Sequence, residues 1–229
     1  LGLMSAQMVA GTILSPVGLY EGPPTHIHKL KMPLVLFDQQ IAGTKADYVG
    51  TDNELATAML CEHLIRFRHR DIAFIGGTPG LHSAERRKAV FFRTMAQAGL
   101  PVDPDFVVDG RYAADVAYNQ AVRLLTGPKR PTAIIAASNV MAIGTLQALN
   151  DLSIACPEDV SLVGIDDVPW SNVIRPKITI SAQPVADLAR LAAQRLMARM
   201  SGTSEADLPF SDLILPPRII MGNSTRRLG

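Results

Sequence analysis

The chain has 229 residues, with 22 Lys and Arg against 21 Asp and Glu, a formal net charge of +1, and 48% hydrophobic residues. Balanced charge excludes binding of nucleic acid through overall basicity, and the hydrophobic share suffices for one large domain or two modest lobes with filled cores. No apolar run has the length of a membrane span, and no charged-then-apolar leader opens the chain, so a cytoplasmic protein with no membrane partner is expected. Because the chain starts Leu1-Gly2-Leu3-Met4, an upstream segment is also expected. Cys61 and Cys156 are far apart and lack metal-ligand spacing, which fits reduced thiols.

In chain order, apolar runs alternate with amphipathic ones, the pattern of an α/β fold with parallel sheets flanked by helices. Strands are predicted at Thr12 to Ser15 and Leu34 to Phe37. Thr51-Asp52-Asn53-Glu54 has capping-box spacing and opens a helix with Leu55, Met59, Leu60, His63, Leu64 and Phe67 on one face. A strand at Ile72 to Gly76 follows, then a helix from Ser83 to Ala98 with Phe91, Phe92 and Met95 inward and Gly99 as its stop. Next come a strand at Phe106 to Asp109, a helix over Ala113 to Thr126 and a strand at Thr132 to Ala137. Ser138 or Asn139 caps a helix that carries Met141, Ala142, Leu146 and Leu149. After a strand at Val160 to Ile165, the last long helix runs from Val185 to Met200, with Leu188, Ala189, Ala192 and Leu196 on one face and Gly202 as its stop. Leu213 to Leu215 and Ile219 to Met221 read as short strands broken at Pro216-Pro217, where a ladder cannot continue, so the pair marks a crossing or corner.

Several motifs carry chemistry. The segment Pro157 to Asp167 is a buried-type strand ending in Asp166 and Asp167, and ligands of open α/β sheets collect outside strand C-termini. A turn acid followed by a helix cap is the competing reading. Gly76-Gly77-Thr78-Pro79-Gly80 matches neither nucleotide fingerprint and reads as a binding loop. Just after it, Ser83 and Arg87 stand one helical turn apart, and the arginine offers a planar fork of donors to hydroxyls or a carboxylate. Against this, Arg86, Arg87 and Lys88 could form a solvated face. No catalytic residue set, metal site or cofactor motif is legible. Of the five histidines only His26 and His28 are close in sequence, and neither cysteine has an activating neighbour.

Taken together these motifs resemble the LacI/GalR family of bacterial transcriptional regulators, in its effector-binding core. The resemblance rests on Val49-Gly50-Thr51-Asp52-Asn53, Glu62-His63-Leu64-Ile65 with His69-Arg70, and Ile72-Ala73-Phe74-Ile75-Gly76-Gly77. It continues through Arg130-Pro131-Thr132-Ala133-Ile134, Met141-Ala142-Ile143-Gly144, Pro157 to Asp167, and Gln183-Pro184. It implies a two-lobed periplasmic-binding-protein-like fold with three inter-lobe crossings, residues 1–50 and 184–214 in an N-terminal lobe and 51–183 and 215–229 in the other. The family's helix-turn-helix, hinge helix and the first strand and helix of its core would lie upstream of the sequence. The resemblance further implies a homodimer that reads operator DNA through that absent domain and binds a small polar effector, a sugar or derivative, in the inter-lobe cleft.

Effector contacts implied residue by residue are Asp38 at the end of Leu34 to Phe37, Ser83, Arg87, Tyr112, Ser138, Asp166 and Gln183, with Asp167 structural. Ser138-Asn139 departs from the family's usual Asn-Asp, which shortens one polar contact and removes a charge. Arg68 stands where the helix commonly ends in Gly, and Val90 replaces a usual Gly. An extracytoplasmic solute-binding protein of a transporter is the alternative; a signal peptide upstream would favour it and a helix-turn-helix the regulator. A sugar-modifying α/β enzyme would need a nucleophile or base arrangement that the sequence lacks.

Overall fold

A computed structural model describes residues 9–16, 32–167, 173–201 and 209–229. In chain order the elements are β1 (Thr12–Leu14), β2 (Leu34–Phe37), β3 (Asp47–Thr51), α1 (Asn53–Arg66), β4 (Ile72–Gly76) and α2 (His82–Gln97). A 3-10 turn (Pro104–Phe106) leads into β5 (Val107–Asp109), followed by α3 (Ala114–Thr126), β6 (Ala133–Ala136) and α4 (Asn139–Asp151). The remainder comprises β7 (Ser161–Ile165), β8 (Thr179–Ala182), α5 (Val185–Met200), β9 (Asp212–Leu215) and β10 (Arg218–Ile220). The chain divides into two compact units, Leu1–Asp52 with Pro184–Pro216, and Asn53–Gln183 with Pro217–Gly229.

In the smaller unit a parallel sheet has the order β1-β2-β3-β9. Alternation along β2 sends Leu34 and Leu36 to one face with Ile41 and Tyr48, and Val35 to the other, where Val49 and the α5 residues Leu188 and Ala192 cover it. β3 did not stand out in the sequence because Asp47 and Gly50 interrupt its apolar pattern, yet all five residues are buried. Asp47 is fully buried in an ion-pair cluster: Arg199 Nε donates to Oδ2 at 2.7 Å, and Arg195 Nε lies 3.0 Å from Oδ1. The Ser211 amide donates to the same carboxylate at 3.1 Å. Gly50 has no side chain because the Tyr48 hydroxyl occupies its face, 2.0 Å from where a Cβ would lie.

The larger unit has the sheet order β10-β8-β7-β6-β4-β5, parallel throughout except for β10 against β8. Every residue of β4, β6 and β7 is buried, as expected of a parallel sheet covered by helices on both faces. Phe74 of β4 stacks on Phe91 of α2 with centroids 5.0 Å apart. From β4 the chain adds β5 on one side and then returns past β4 to β6 on the other. That reversal makes the C-terminal ends of β4 and β6 a topological switch point.

The observed helices correct several expectations. Thr51 closes β3 and α1 begins at Asn53, and the Glu54 carboxylate pairs with Arg86 at 2.5 Å and Arg93 at 2.7 Å. The inward face of α1 is Ala56, Leu60, Cys61 and Leu64, and Leu55 is exposed. Phe92 is exposed, with its ring edge-on to Phe91, while Ala189 lies on the open side of α5. Phe106 belongs to the 3-10 turn rather than to β5. His26, His28 and Gly202 lie outside the described residues. No helix among the described residues is long and apolar enough to cross a membrane.

Two buried histidines fasten the C-terminal segment to the larger unit. His63 Nε2 lies 3.0 Å from Thr225 Oγ1, and His69 Nε2 donates to the Arg226 carbonyl at 3.0 Å. Burial lowers both pKa values, aided by Arg66 and His69 around His63 and by the Arg226 charge at His69, where the carbonyl bond opposes the shift. Folding therefore favours neutral imidazoles. Their stabilisation is complete above the ordinary value of 6.5 and is lost as pH falls through the lowered folded values. Thermal unfolding should accordingly show a lower midpoint at about pH 5 than at about pH 7, and the His63→Asn variant should flatten that dependence. An unchanged slope in the variant would remove His63 from this role.

Candidate functional site

The strand C-termini of the larger unit gather most of the residues singled out in the sequence. α2 starts six residues after β4, and its first turns bring Ser83 and Arg87 to one face, both buried, at 1% and 4% exposure. Arg86, one residue away, is exposed and paired with Glu54, so the solvated-face reading holds for it and not for Arg87. Arg87 Nε donates to Asn53 Oδ1 at 2.9 Å, and Nη1 donates to the Ala137 carbonyl at 2.6 Å, just beyond the end of β6. The guanidinium is thus pinned at the switch point by neutral acceptors. Among the described residues no carboxylate pairs with it and Nη2 has no protein acceptor. A buried cation held in this way is arranged to donate to a polar guest.

Beside it, Ser83 Oγ and Tyr112 Oη are 2.9 Å apart. The loop between β5 and α3 sets the ring: Gly110 N donates to the Gly76 carbonyl at 2.7 Å, and Arg111 and Tyr112 both adopt left-handed conformations, with φ 53° and 56°. Two successive non-glycine residues with positive φ are sterically costly and persist only where their surroundings fix them. Gly77 makes room for the ring, since a Cβ there would lie 2.2 Å from Tyr112 Cζ. The Gly-Gly turn thus seats an aromatic ring.

Ser138 is the N-cap of α4, its Oγ accepting from Met141 N at 3.3 Å, a bond that uses the oxygen and not the hydroxyl proton. Asp166 follows β7 with φ 72°, and its amide donates to the Ser181 carbonyl of β8 at 2.9 Å. Asp167 is exposed, and its carbonyl accepts from Asn139 Nδ2 at 3.0 Å. Asp166, Asp167 and Asn139 edge a largely apolar cavity of about 20 Å³ that Ala142, Ile143 and Ile174 help to line. That space suits a water molecule rather than a metabolite.

Asp38 repeats this strand-end device in the smaller unit. It follows β2 with φ 64°, its amide donates to the Val49 carbonyl of β3 at 3.0 Å, and its own carbonyl accepts from Tyr48 Oη at 3.0 Å. Gln183, half-buried, ends the long segment of the larger unit between β8 and α5. The larger unit therefore brings Ser83, Arg87, Tyr112, Ser138 and Asp166 to one end of its sheet, with Gln183 at its boundary.

Asn53, buried and holding Arg87, went unrecognised as a site residue. Its place in an apparent capping box hid it, and the separation of 34 positions from Arg87 leaves no local signal. No group of three or more His, Cys, Asp or Glu able to hold a metal occurs among the described residues. Burial pushes the thiols of Cys61 and Cys156 up to about 12, which disfavours the nucleophilic thiolate at both.

Comparison with known proteins places this arrangement in a family. Residues 61–225 match the periplasmic binding protein-like domain family. The probable HTH-type transcriptional repressor ExuR of Bacillus subtilis (strain 168) is 28% identical over 203 residues, covering 89% of this chain and 60% of that protein. A LacI family transcriptional regulator from Mycobacterium smegmatis superposes with a TM-score of 0.85 at 28% identity, covering 98% of this chain and 82% of that one. The transcriptional regulator CelR in its cellobiose complex gives a TM-score of 0.88 at 25% identity, covering 97% of this chain and 68% of that one. The chain spans about three fifths of the length of ExuR. With a match over most of its length and relatives of one kind in both sequence and structure, the chain belongs to the periplasmic-binding-protein-like domain family, as the effector-binding domain of a LacI-family transcriptional regulator.

Proposed function

We propose that this domain senses a small polyhydroxylated ligand, a sugar or sugar derivative, and passes the binding event to an operator-reading segment of the same cytoplasmic protein. The observation that carries the reading is Arg87: a buried guanidinium, fixed by Asn53 and Ala137 at the switch point, with no carboxylate to neutralise it among the described residues. Arg87 donates to ligand oxygens, Asp166 accepts from ligand hydroxyls, and the Tyr112 ring, backed by Ser83, lies along the apolar face of the sugar. Ser138 offers its hydroxyl, Gln183 an amide, and Asp38 of the smaller unit plays the part of Asp166. The cellobiose bound to CelR supports a carbohydrate as the ligand class.

A ligand shifts a conformational equilibrium only by as much as its affinity differs between the two states. The proposed contacts supply that difference, and the shift then alters operator affinity in a homodimer. Titration calorimetry against a panel of sugars, sugar acids and nucleobases tests the assignment. A sugar should bind the parent chain, and Arg87→Ala and Asp166→Asn should each weaken it by roughly 10- to 100-fold, the loss of one or two charge-assisted hydrogen bonds. Unchanged affinity in both variants would remove these residues from the site.

A further inference from the structure

A second charged feature lies at the opposite edge of the larger unit's sheet, where β4 begins. Arg66 ends α1, Arg68 and Arg70 occupy the turn into β4, and Arg226 and Arg227 lie in the C-terminal segment. Backbone contacts tie these pieces together. Leu228 N donates to the Phe67 carbonyl at 2.9 Å, the Arg226 carbonyl accepts from His69, and Arg226 N donates to Ser161 Oγ at 3.1 Å. The five arginines are all exposed, and none forms an ion pair among the described residues. The acids nearest in sequence are Glu62, one turn before Arg66, and Asp71, which Lys129 already holds at 2.6 Å. Glu158 and Asp159 precede Ser161 at the start of β7, but Asp159 accepts from the Ala155 amide and neither acid pairs with these arginines among the described residues.

Arg68 adds an independent sign of purpose. It is the left-handed residue that stops α1, with φ 68°, its amide bonded to the Ile65 carbonyl and the next amide, of His69, to the Leu64 carbonyl. Glycine takes that position without strain, so the arginine is carried there at a steric cost. Because all five guanidiniums are exposed, a compact anion would leave most of them in water. An extended polyanion offers each one a separate phosphate, and shape complementarity is not required.

We propose that this face docks on the phosphate backbone of nucleic acid, independently of sequence. The choice of nucleic acid over an acidic protein rests on the reading of the chain as part of a DNA-associated regulator. The test needs neither operator nor effector, so its failure and that of the effector assignment are separable.

Fluorescence anisotropy with a labelled mixed-sequence duplex of about 20 base pairs, titrated with salt, gives the readout. The parent chain should bind at low salt, and the pair Arg68→Gly with Arg227→Ser should lose roughly tenfold in affinity and flatten the logarithmic salt slope by about 2. The unfolding midpoint of that pair should not fall, because replacing Arg68 with glycine relieves the left-handed strain. A control pair with the same charge change, Arg190→Ser with Arg218→Ser, should bind nearly as the parent does; Arg190 is exposed on α5 of the smaller unit, and Arg218 lies at the other end of the larger unit's sheet, opposite Ala182 of β8. Failure of the parent to bind, or an equal loss in the control pair, would overturn the proposal. Binding to polyglutamate as tight as to the duplex would overturn it too, and assign the face to acidic proteins.

Discussion

Asp47→Ala should destabilise the smaller unit by about 3–5 kcal/mol, the usual result of removing one partner from a buried ion-pair cluster. Asp47 is fully buried, and the side chains facing it, Arg199 and Arg195, are 7% and 17% exposed. Two guanidiniums would be left in a site built around a carboxylate. Arg199 also donates to the Pro209 carbonyl at 3.1 Å and lies over the Phe210 ring, so the cluster binds β3, α5 and the chain leading into β9. Burial alone would raise the Asp47 pKa, but the bonds from Arg199, the Ser211 amide and Arg195 outweigh it and lower it below 3.8. Its contribution is therefore fully present above that value and disappears as pH falls through the folded one. Denaturant titration together with hydrogen exchange across β3 and α5 measures the effect. A loss under about 1 kcal/mol would mean the cluster behaves like a surface pair.

The second large effect is expected at Gly144→Ala. Helix propensity alone would make this change stabilising by about 1 kcal/mol, since Gly144 lies inside α4. Sterics decide the sign. A Cβ at Gly144 would lie 2.1 Å from the carbonyl oxygen and 2.9 Å from the carbonyl carbon of Ala114, the first residue of α3. Backbone cannot rotate aside as a side-chain tip can, so α3 and α4 must separate. Overpacking of this kind costs about 1–3 kcal/mol, and here it falls at the upper end because it outweighs the propensity gain. A net loss near 2 kcal/mol corresponds to roughly 4–8 °C in the unfolding midpoint for a chain of this size. A midpoint equal to or above that of the parent would show that the helices separate freely. Since α3 follows the Arg111-Tyr112 loop and Ser138 caps α4, the same variant should also weaken ligand binding.

The helices were legible because long amphipathic periods survive local irregularity, and α2 to α5 begin within one residue of their expected starts. β3 and β8 were not. Their buried positions include Asp47, Thr179 and Ser181, polar residues that break the apolar pattern, and the partners of Asp47 and Thr179 lie far away in the chain. Thr179 shows why: its hydroxyl accepts from Gly222 N, 43 residues on, at 3.0 Å. The site divides in the same way. Ser83 and Arg87 announce a shared face through helical spacing, whereas Asn53 and the Ala137 carbonyl become partners of Arg87 only once the sheet has formed. The left-handed backbone at Arg111, Tyr112 and Asp166 carries no sequence mark, because none of them is a glycine.

Hydrogen exchange with and without a saturating sugar from the panel tests the central claim most directly. Protection should appear at Gly76 to Ser83, at Gly110 to Ala113 and at the amides of Ser138 and Asp166, all at the strand C-termini of the larger unit, together with Asp38 in the smaller one. Protection confined to the opposite sheet edge, around Arg68 to Asp71 and Lys129, with no change at the Gly-Gly turn or the Tyr112 loop, would contradict it.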